Sequence, residues 1–576
     1  MIRKLVRYAK GYGWRAIGAG VTIAIEVLLE VFIPFVMRDV INEGLLGDGG
    51  VELIVEKGLI MIGLALLSLC FGALSARLSV VASAGFAKNL RQALFYKIQD
   101  FSFANVDKFS TASLITRSTT DVTNLQQAFM MGTRMLVRSP VMLVAATLMA
   151  LQISSGMGVI FAFGLPVLMA SMIIIVSIAF PRFKRMFTQY DKMNARIQEN
   201  LIAMRVVKAF VREDYERETY NATAGGLRDA SVSAEKVVIL NGPVANFTLY
   251  ACMIATCYIG GRNILVGDML PGDLMSFISY IAQILSSVMM ITMIFVSLVM
   301  SRASATRVVE VLDERVDIVD SGADPELKVA DGSIVFENVS FSYSKSGENL
   351  TLRNINLSIS SGETIGIIGG TGSAKTTLVQ LIPRLYDVYE GAVKVGGRDV
   401  REYTLDNLRA SVSMVLQKNV LFSGTIADNL RWGDINATDG ELKDVCESAQ
   451  ADSFIESFPD GYDTELGQGG VNVSGGQKQR LCIARALLKR PKILILDDST
   501  SAVDTATDAK IREAFASKHE DTTMLIIAQR ISSVSDADRI IVMHDGEIDA
   551  VGTHDELLAT NEIYQQVYFS QQKGVA

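Results

Sequence analysis

Cysteine, histidine and charged residues are all scarce in this chain of 576 residues. Its five cysteines show no CxxC spacing and it has three histidines, so the sequence supports neither a disulfide framework nor a zinc site. Charged residues make up 20% and hydrophobic residues 49%, a composition that excludes a disordered scaffold. The mean hydropathy of +0.31 is too high for an ordinary soluble enzyme. Part of the chain is therefore predicted to lie in a membrane.

Charge is divided unevenly along the chain. Basic residues outnumber acidic ones up to Asp320, whereas acidic residues outnumber basic ones beyond it. An acidic second half without a run of Lys or Arg is a poor electrostatic match to nucleic acid, so no nucleic-acid partner is expected. The change in charge indicates two differently built halves.

The first half contains apolar runs long enough to cross a hydrocarbon core of about 30 Å. Ala16 to Met37, bracketed by Arg15 and Arg38, is the clearest of them. Together with it, five further runs predict six spanning helices: Gly58 to Ala76, Pro140 to Ile153, Met157 to Phe180, Val237 to Gly260 and Leu274 to Met300.

Lys and Arg predict the orientation of these spans, because basic loops are retained on the cytoplasmic side. Basic residues concentrate in residues 1–15, between spans two and three, and between spans four and five, whereas the loop after the first span is acidic. Both termini are therefore expected in the cytoplasm of a multi-pass protein of a bacterial-type plasma (inner) membrane.

From Gly332 onward the pattern changes to short β-rich runs separated by Gly turns and helical stretches, which is typical of an α/β domain. An acidic linker with Gly322 and Pro325 precedes this change. The predicted organisation is a transmembrane domain over residues 1–315 with six helices and long intracellular extensions, a linker over 316–331 and a nucleotide-binding domain over 332–576.

A strand from Thr364 to Ile368 runs directly into a glycine-rich loop and then into an apolar helix. This order is typical of a phosphate-binding loop, in which backbone amides and a helix N-terminus surround a phosphate. Lys375 would reach the β and γ oxygens and the Thr376 hydroxyl could hold Mg²⁺. Ala374 stands where the pattern has its last Gly. The loop comprises Gly369, Gly370, Thr371, Gly372, Ser373, Ala374, Lys375, Thr376 and Thr377.

A second element supports nucleotide binding. Ile493 to Asp498 reads as a buried strand that ends in two carboxylates, Asp497 and Asp498. An acid in this position can hold Mg²⁺ opposite a phosphate loop. The alternative is a strand capped by an ordinary acidic turn, and the preceding loop favours the functional interpretation.

A third motif closely resembles the signature of ATP-binding cassette proteins. It comprises Val473, Ser474, Gly475, Gly476 and Gln477. Gln417 resembles the Q-loop glutamine, residues 501–504 resemble the D-loop, and Tyr343 resembles the aromatic residue that stacks on adenine. With six spans before the cassette, the chain resembles a half-transporter of the type I ABC exporter family. Residues 196–213 are similar to that family's second coupling region.

This resemblance implies a membrane all-α six-helix domain followed by an α/β P-loop ABC ATPase domain. The implied cofactors are ATP and Mg²⁺, the metal being held by Thr376, Gln417 and Asp497. In the family the signature motif contacts ATP on a partner's phosphate loop, so one chain cannot make a complete site.

Two departures from the family pattern concern catalysis. Asp498 replaces the usual Glu that activates water, which withdraws the carboxylate by roughly 1.5 Å, and a misplacement of about 1 Å can cost a hundredfold in rate. Gln529 replaces the switch histidine and cannot carry a positive charge. The interpretation is a site that binds ATP but hydrolyses it poorly, the alternative being drift with activity retained. We therefore expect a heterodimer whose partner carries Glu and His at the positions of Asp498 and Gln529. A degenerate signature motif on that partner would fit the difference between the two ATP sites.

Candidate substrate contacts lie in two spans. Glu26 and Glu30 sit one helical turn apart in the first span, where they either accept cationic amphiphiles or pair with Arg77, Arg134 or Arg138. Three methionines of the sixth span could form an adaptable apolar wall, although plain packing is the commoner role of such a stripe: Met289, Met290 and Met293.

The sequence thus predicts an ATP-driven exporter subunit for drugs or other hydrophobic or amphiphilic compounds. Three alternatives stay open: a homodimeric lipid or peptide flippase, an exporter-fold importer of siderophores for example, and an ATP-gated regulatory membrane protein.

Overall fold

The computed structural model describes residues 2–344, 347–498, 504–518 and 521–573. The chain divides into two compact units. The first comprises Met1–Gln99 and Ser110–Glu314, and the second comprises Asp100–Phe109 and Arg315–Ala576. A ten-residue segment between the second and third spans therefore belongs to the same unit as residues 315–576.

Eleven helices precede the first strand in the described chain, and α4 is the one that belongs to the second unit. Short 3₁₀ turns at Arg7–Ala9 and Ser155–Met157 and π-helical turns at Val40–Leu45 and Arg117–Asp121 connect or extend them. They are α1 (Ile2–Val6), α2 (Gly13–Asp39), α3 (Gly50–Gln99), α4 (Phe103–Phe109), α5 (Thr111–Thr116), α6 (Val122–Ile153), α7 (Gly158–Ile202), α8 (Met204–Ala209), α9 (Glu213–Val238), α10 (Asn241–Val266) and α11 (Pro271–Asp313).

Within the described residues, six helical stretches are long and apolar enough to cross a membrane, which confirms the six predicted spans. Large apolar side chains such as Ile17, Leu69 and Phe163 are exposed on them, as lipid-facing positions require. The stretches are Gly13–Leu45, Gly50–Gln99, Thr111–Ile153, Gly158–Ile202, Glu213–Val266 and Pro271–Ile291.

Hydrogen bonds to backbone carbonyls join α11 to α2 inside the spans. The Tyr280 hydroxyl donates to the Val31 carbonyl oxygen at 2.8 Å, and the Ser276 hydroxyl donates to that of Pro34 at 2.6 Å. Both donors are buried. Such bonds between helices satisfy polar groups that have no water partner in lipid, and they fix the register of the two helices.

The π-helical turn Arg117–Asp121 attaches α6 to the C-terminal part of α11. Asp121 is fully buried and its carboxylate accepts from the Arg307 guanidinium, with the Nε bond at 2.8 Å. Arg117 donates to Glu310 at 2.8 Å. A buried carboxylate needs such a partner, because an unpaired charge is costly to remove from water.

Among its described residues, the second unit has twelve strands in three sheets. One four-stranded antiparallel sheet has the order β2-β1-β4-β5, one six-stranded sheet has the order β12-β11-β3-β10-β9-β6, and β7 pairs with β8. In the six-stranded sheet β12 is antiparallel and the others are parallel. The strands are β1 (Ile334–Phe341), β2 (Leu352–Ile359), β3 (Thr364–Gly369), β4 (Glu390–Val395), β5 (Arg398–Asp399), β6 (Val412–Val415), β7 (Gly424–Thr425), β8 (Glu465–Leu466), β9 (Ile493–Asp497), β10 (Thr523–Ile527), β11 (Arg539–His544) and β12 (Glu547–Gly552).

Helices cover the six-stranded sheet and explain its burial. Every residue of β9 and β10 is buried, as a parallel strand with packed faces on both sides requires. The helices of this unit after α4 are α12 (Lys375–Gln380), α13 (Leu405–Ser411), α14 (Ile426–Leu430), α15 (Asp439–Ser448), α16 (Asp452–Glu456), α17 (Gly475–Leu488), α18 (Thr505–Lys518), α19 (His554–Thr560) and α20 (Glu562–Lys573). The unit is the α/β domain that the second half of the sequence predicts.

Candidate nucleotide site

The glycine-rich loop lies between β3 and α12, as its sequence order predicts. Ala374, the residue before α12, has a φ of +69° and so adopts the left-handed conformation that favours Gly. Lys375 opens α12, and its ammonium group donates to the carbonyl oxygens of Gly369 at 2.8 Å and Gly370 at 2.9 Å. The lysine side chain therefore folds back over the loop.

Thr376 and Asp497 bring a hydroxyl and a carboxylate together next to the loop. The Thr376 hydroxyl donates to Asp497 Oδ1 at 2.9 Å, and Asp497 is 2% exposed. Burial raises the pKa of the Asp497 carboxyl, and Asp498 raises it further, against the opposing effects of Thr376 and Lys375. Burial likewise lowers the pKa of Lys375. A charged ligand placed here would meet preformed, partly desolvated groups of both signs.

Asp498, Gln417 and Gln529 meet at the carboxyl ends of β9, β6 and β10. The Gln529 side-chain amide donates to Asp498 Oδ2 at 2.7 Å, and the Gln417 amide is 3.4 Å from the same oxygen. Adjacent parallel strands place the residues that follow them at one edge of the sheet, where open α/β sheets bind ligands. Asp498 has a φ of +49°, and its backbone N–H donates to the Ile527 carbonyl at 3.0 Å.

Tyr343 lies beyond β1 and close to α12. Its ring is about half exposed, and its hydroxyl is 3.0 Å from the Thr377 hydroxyl. The ring of Phe341 meets it edge-on, with 4.9 Å between the centroids. An exposed aromatic face beside the phosphate loop is a suitable platform for a flat base.

The signature residues form the N-terminus of α17. Ser474 caps the helix: its hydroxyl accepts from the Gln477 N–H at 3.3 Å, and the Gln477 side chain accepts from the Ser474 N–H at 2.8 Å. Val473 is buried in the domain core, whereas Ser474 and Gly475 are exposed. In the part of the chain that the structure describes, no hydrogen bond joins residues 473–477 to the phosphate loop of this chain.

The D-loop residues Ser501 to Val503 lie outside the described residues. Asp504, the last residue of that motif, is described and accepts from the Thr507 N–H at 3.0 Å.

In the first span, Glu26 and Glu30 both contact Arg138 of α6. The two carboxylates pair with separate guanidinium nitrogens, at 2.5 Å for Glu26 and 2.7 Å for Glu30. Gly72 of α3 lies so close to the Glu26 carboxylate that a Cβ there would come within 2.9 Å of it. This is the arrangement that the ion-pair interpretation of the two acids predicts.

The three methionines of α11 do not share one environment. Met289 packs against the buried core of the first unit, and Met290 is partly buried. Met293 is 77% exposed. A common substrate wall formed by Met289, Met290 and Met293 stays a prediction.

No sequence motif pointed to Tyr386, which contacts Tyr343 in the structure with 5.2 Å between the ring centroids. It lies outside the recognised motifs and 43 positions away along the chain. The pairing of β1 with β4 brings the chain around Tyr386, just before β4, close to Tyr343 at the end of β1.

Comparison with known proteins assigns both halves of the chain. Residues 16–288 match the family model of the ABC transporter transmembrane region, and residues 352–501 match that of the ABC transporter. The ABC transporter ATP-binding protein YfiB of Bacillus subtilis is 35% identical over 570 residues, which cover 99% of this chain and 98% of that protein. The ATP-dependent lipid A-core flippase of Desulfotalea psychrophila is 33% identical over 491 residues, which cover 84% of this chain and 84% of that protein.

A solved structure gives the same fold. A bacterial Atm1-family ABC exporter with ATP bound matches with a TM-score of 0.84 and 23% identity, covering 97% of this chain and 99% of that chain. One six-helix membrane region and one ATP-binding region make half of such a transporter. The chain therefore belongs to the ABC transporter family and has the fold of a type I ABC exporter half-transporter.

Proposed function

We propose that this protein is one half of a heterodimeric exporter of drugs or other hydrophobic or amphiphilic compounds, in which its own site binds ATP but hydrolyses it poorly. The observation that carries the proposal is the arrangement at Asp498, whose carboxylate accepts an amide proton from Gln529 at 2.7 Å. The family has Glu and His at these two positions. This chain has the shorter Asp498, whose carboxylate accepts a hydrogen bond from the neutral Gln529 amide.

ATP binding at this site rests on the loop and its surroundings. Tyr343 stacks on adenine, the N–H groups of the loop and the N-terminus of α12 surround the phosphates, and Lys375 exchanges its bonds to the Gly369 and Gly370 carbonyls for phosphate oxygens. A positively charged, partly desolvated lysine gains more from a phosphate than from neutral carbonyls.

The donor set fits Mg²⁺. The Thr376 hydroxyl and Asp497 carboxylate are 2.9 Å apart, and Gln417 supplies a further side-chain oxygen at the same edge of the sheet. In the part of the chain that is described, no cluster of three or more His, Cys, Asp or Glu could hold a metal, which suits an ion that takes most of its ligands from phosphate and water. Bound there, Mg²⁺ would offset phosphate charge.

Slow hydrolysis follows from the position of the Asp498 carboxylate relative to the attacking water. Its side chain lacks one methylene relative to Glu, and misplacement by about 1 Å can cost a hundredfold in rate. One of its oxygens already accepts a hydrogen bond from Gln529, so that oxygen has less acceptor capacity left for a water molecule. Gln529 offers a hydrogen bond to phosphate but no charge.

The signature motif supports a partner. Ser474 and Gly475 stand exposed at a well-capped helix N-terminus, which is the form that contacts a γ-phosphate. This chain then gives a poor acid to one site and a good signature to the other. The partner is a second half-transporter with Glu and His at the matching positions, for which a degenerate signature motif would fit.

The transported compound is inferred from the apolar spans and from a relative named as a lipid A-core flippase. Both termini lie in the cytoplasm and export proceeds across the plasma membrane, since the basic segments predict that orientation. ATP binding closes the nucleotide domains and shifts the spans from an inward-open to an outward-open state.

The steady-state ATPase activity of the purified complex tests the proposal. Ser474→Arg should remove most of the activity, because a bulky cation blocks the approach of α17 to the partner's γ-phosphate, whereas Asp498→Asn should retain at least half of it. Ser532→Arg, at another exposed serine of the same unit, is the control for an added arginine and should change little. Equal loss for Ser474→Arg and Asp498→Asn, or a complex that contains two copies of this chain, would overturn it.

A further inference from the structure

Gln571, near the end of the last helix α20, makes two hydrogen bonds to the chain that follows β10. Its side-chain amide donates to the Gln529 carbonyl oxygen at 2.7 Å, and its side-chain oxygen accepts from the Ile531 N–H at 3.0 Å. These two backbone groups flank Arg530. One side chain therefore bridges the backbone beside Gln529, whose own side chain contacts Asp498.

The bridge supplies a hydrogen bond that the local fold leaves open. Ile531–Ser533 is a 3₁₀ turn, and the first N–H groups of a helical turn have no partner inside it. Arg530, which precedes the turn, makes no side-chain cap, and Ile531 is 3% exposed. Because a buried N–H without a partner is costly, the Gln571 oxygen stabilises the start of this turn.

α20 presents Gln571 from a fixed position. Tyr564, seven residues earlier, is fully buried, and its hydroxyl is 2.6 Å from His554 Nδ1. Val567 and Tyr568 pack against the buried core of the unit between these positions. Residues spaced by three, four and seven lie on one face of an α-helix, so Gln571 extends the buried face of α20. The helix is therefore a firm support for the bridge.

The chain around Gln529 is anchored on both sides. Downstream, the Ser533 hydroxyl donates to Asp508 Oδ2 of α18 at 3.1 Å, and both residues are buried. Upstream, the Ala528 N–H donates to the Ile367 carbonyl oxygen of β3 at 3.3 Å. Between these two anchors, the bridge from α20 fixes the position of the Gln529 backbone.

We propose that Gln571 is a positioning residue that holds Gln529 where its side-chain amide binds the γ-phosphate of ATP. The Gln529 amide has two N–H groups: one donates to Asp498 at 2.7 Å, and the second can donate to a phosphate oxygen. Hydrogen bonds weaken steeply with distance and angle, so a small displacement of the Gln529 backbone removes this contact.

The contact forms with ATP and not with ADP, because ADP has no γ-phosphate. Gln571 therefore sets the preference of this site for ATP over ADP. The proposal rests on the proposed function of the site, since it requires that this chain's phosphate loop binds ATP.

Nucleotide affinity at this chain's site tests the proposal. In the complete transporter, kept on ice to limit hydrolysis, this chain is photolabelled with an azido analogue of ATP in competition with ATP or ADP. Electrophoresis then separates it from its partner. Gln571→Met keeps the length of the side chain but lacks the amide, and it should weaken ATP binding about three- to tenfold, the usual contribution of one hydrogen bond. ADP affinity should change less than about twofold.

Two further variants examine how Gln571 acts. Gln571→Ala should behave like Gln571→Met, because both lack the amide, and a difference between them would mean that side-chain bulk decides the effect. Gln529→Ala should also weaken ATP binding selectively. Adding Gln571→Met to Gln529→Ala should then have no further effect, because the amide that Gln571 positions is already absent.

Gln572→Met is the matched control. This neighbouring residue is exposed, and its amide donates to the Tyr568 hydroxyl within α20 at 2.7 Å. Both nucleotide affinities should stay at the native level in this variant.

Equal loss of ATP and ADP affinity in Gln571→Met, or effects of Gln571→Met and Gln529→Ala that simply add, would show a purely structural role and contradict the proposal. Unchanged ATP affinity in Gln571→Met contradicts it as well. Lys375→Ala separates this proposal from the function on which it rests. If that variant is labelled as strongly as the native chain, the ATP site itself is wrong, whereas lost labelling there with native selectivity in Gln571→Met contradicts the positioning role alone.

Discussion

Ala374 adopts a backbone conformation that suits Gly far better than Ala. With a φ of +69° its Cβ crowds the following carbonyl, which costs an L-residue about 1 to 2 kcal/mol. The phosphate-loop pattern has Gly at this position, and Gly adopts this conformation without that penalty. The loop of this chain is therefore built with a local strain that its neighbours must balance.

Replacing Ala374 with Gly should stabilise the nucleotide-binding unit by about 1 kcal/mol, after part of the strain relief is offset by the freer unfolded chain. Thermal unfolding of the complex, followed by the tryptophan fluorescence of Trp432, measures the change. The reverse substitution Gly372→Ala, at a φ of +87°, is the control and should destabilise by a similar amount. A less stable Ala374→Gly variant would show that packing of the Ala374 methyl outweighs its strain.

The residues of the nucleotide site could be predicted from motif spacing, but the hydrogen-bond partners of their side chains could not. The sequence places a lysine and two carboxylates at one site, because a strand, a loop and a helix occur in a fixed order. That Gln529 holds Asp498 depends on β10 lying beside β9, and strand order in a parallel sheet is set by long crossovers that no local pattern records.

At the scale of elements, apolar runs predicted the six spans, and the helical periodicity beyond them predicted long intracellular extensions without the residue at which each helix ends. α3 has 50 residues and α7 has 45, so each continues far beyond its apolar run. Outside lipid these helices need amphipathic contacts instead of a continuous apolar sequence, and residues such as Leu90 and Leu94 provide them. The seven-residue α4 has too few turns to show a helical period, which is why its place in the second unit was not foreseen.

The packing of α2 against α6 gives a prediction for Glu26 and Glu30. Both pair with Arg138 inside the spans, where an unpaired charge is costly. Changing both acids to Gln leaves Arg138 unpaired and should destabilise the complex by about 3 kcal/mol or more. Export of cationic and of neutral dyes should then fall by the same factor.

Adding Arg138→Gln to that variant removes the remaining charge and should restore most of the lost stability, since an uncharged set of side chains has no unpaired ion. Thermal unfolding and dye export are measured on the same preparations of the Glu26→Gln/Glu30→Gln variant and of the variant that also carries Arg138→Gln. If the double variant folds normally and loses export of cationic dyes alone, the two acids form a cation-binding site and their pairing with Arg138 is secondary.

On the scale of the whole molecule, the two ATP sites of the proposed complex should differ in rate by orders of magnitude. This chain contributes Asp498 and Gln529 to one site and Ser474 to the other. Orthovanadate traps nucleotide only where hydrolysis occurs, so the native complex should trap one nucleotide for each pair of chains.

Asp498→Glu combined with Gln529→His should raise the number of nucleotides trapped for each pair of chains from one towards two. The added methylene moves the carboxylate out by roughly 1.5 Å, and misplacement of about 1 Å accounts for about a hundredfold in rate. The imidazole supplies an ionisable contact to the γ-phosphate that the Gln529 amide cannot. Asp498→Glu alone should give an intermediate gain, and adding Ala374→Gly should increase it if strain in the loop also limits turnover. If the native complex already traps two nucleotides and Asp498→Asn reduces this to one, Asp498 is a working catalytic residue and the asymmetry proposed for the complex is wrong.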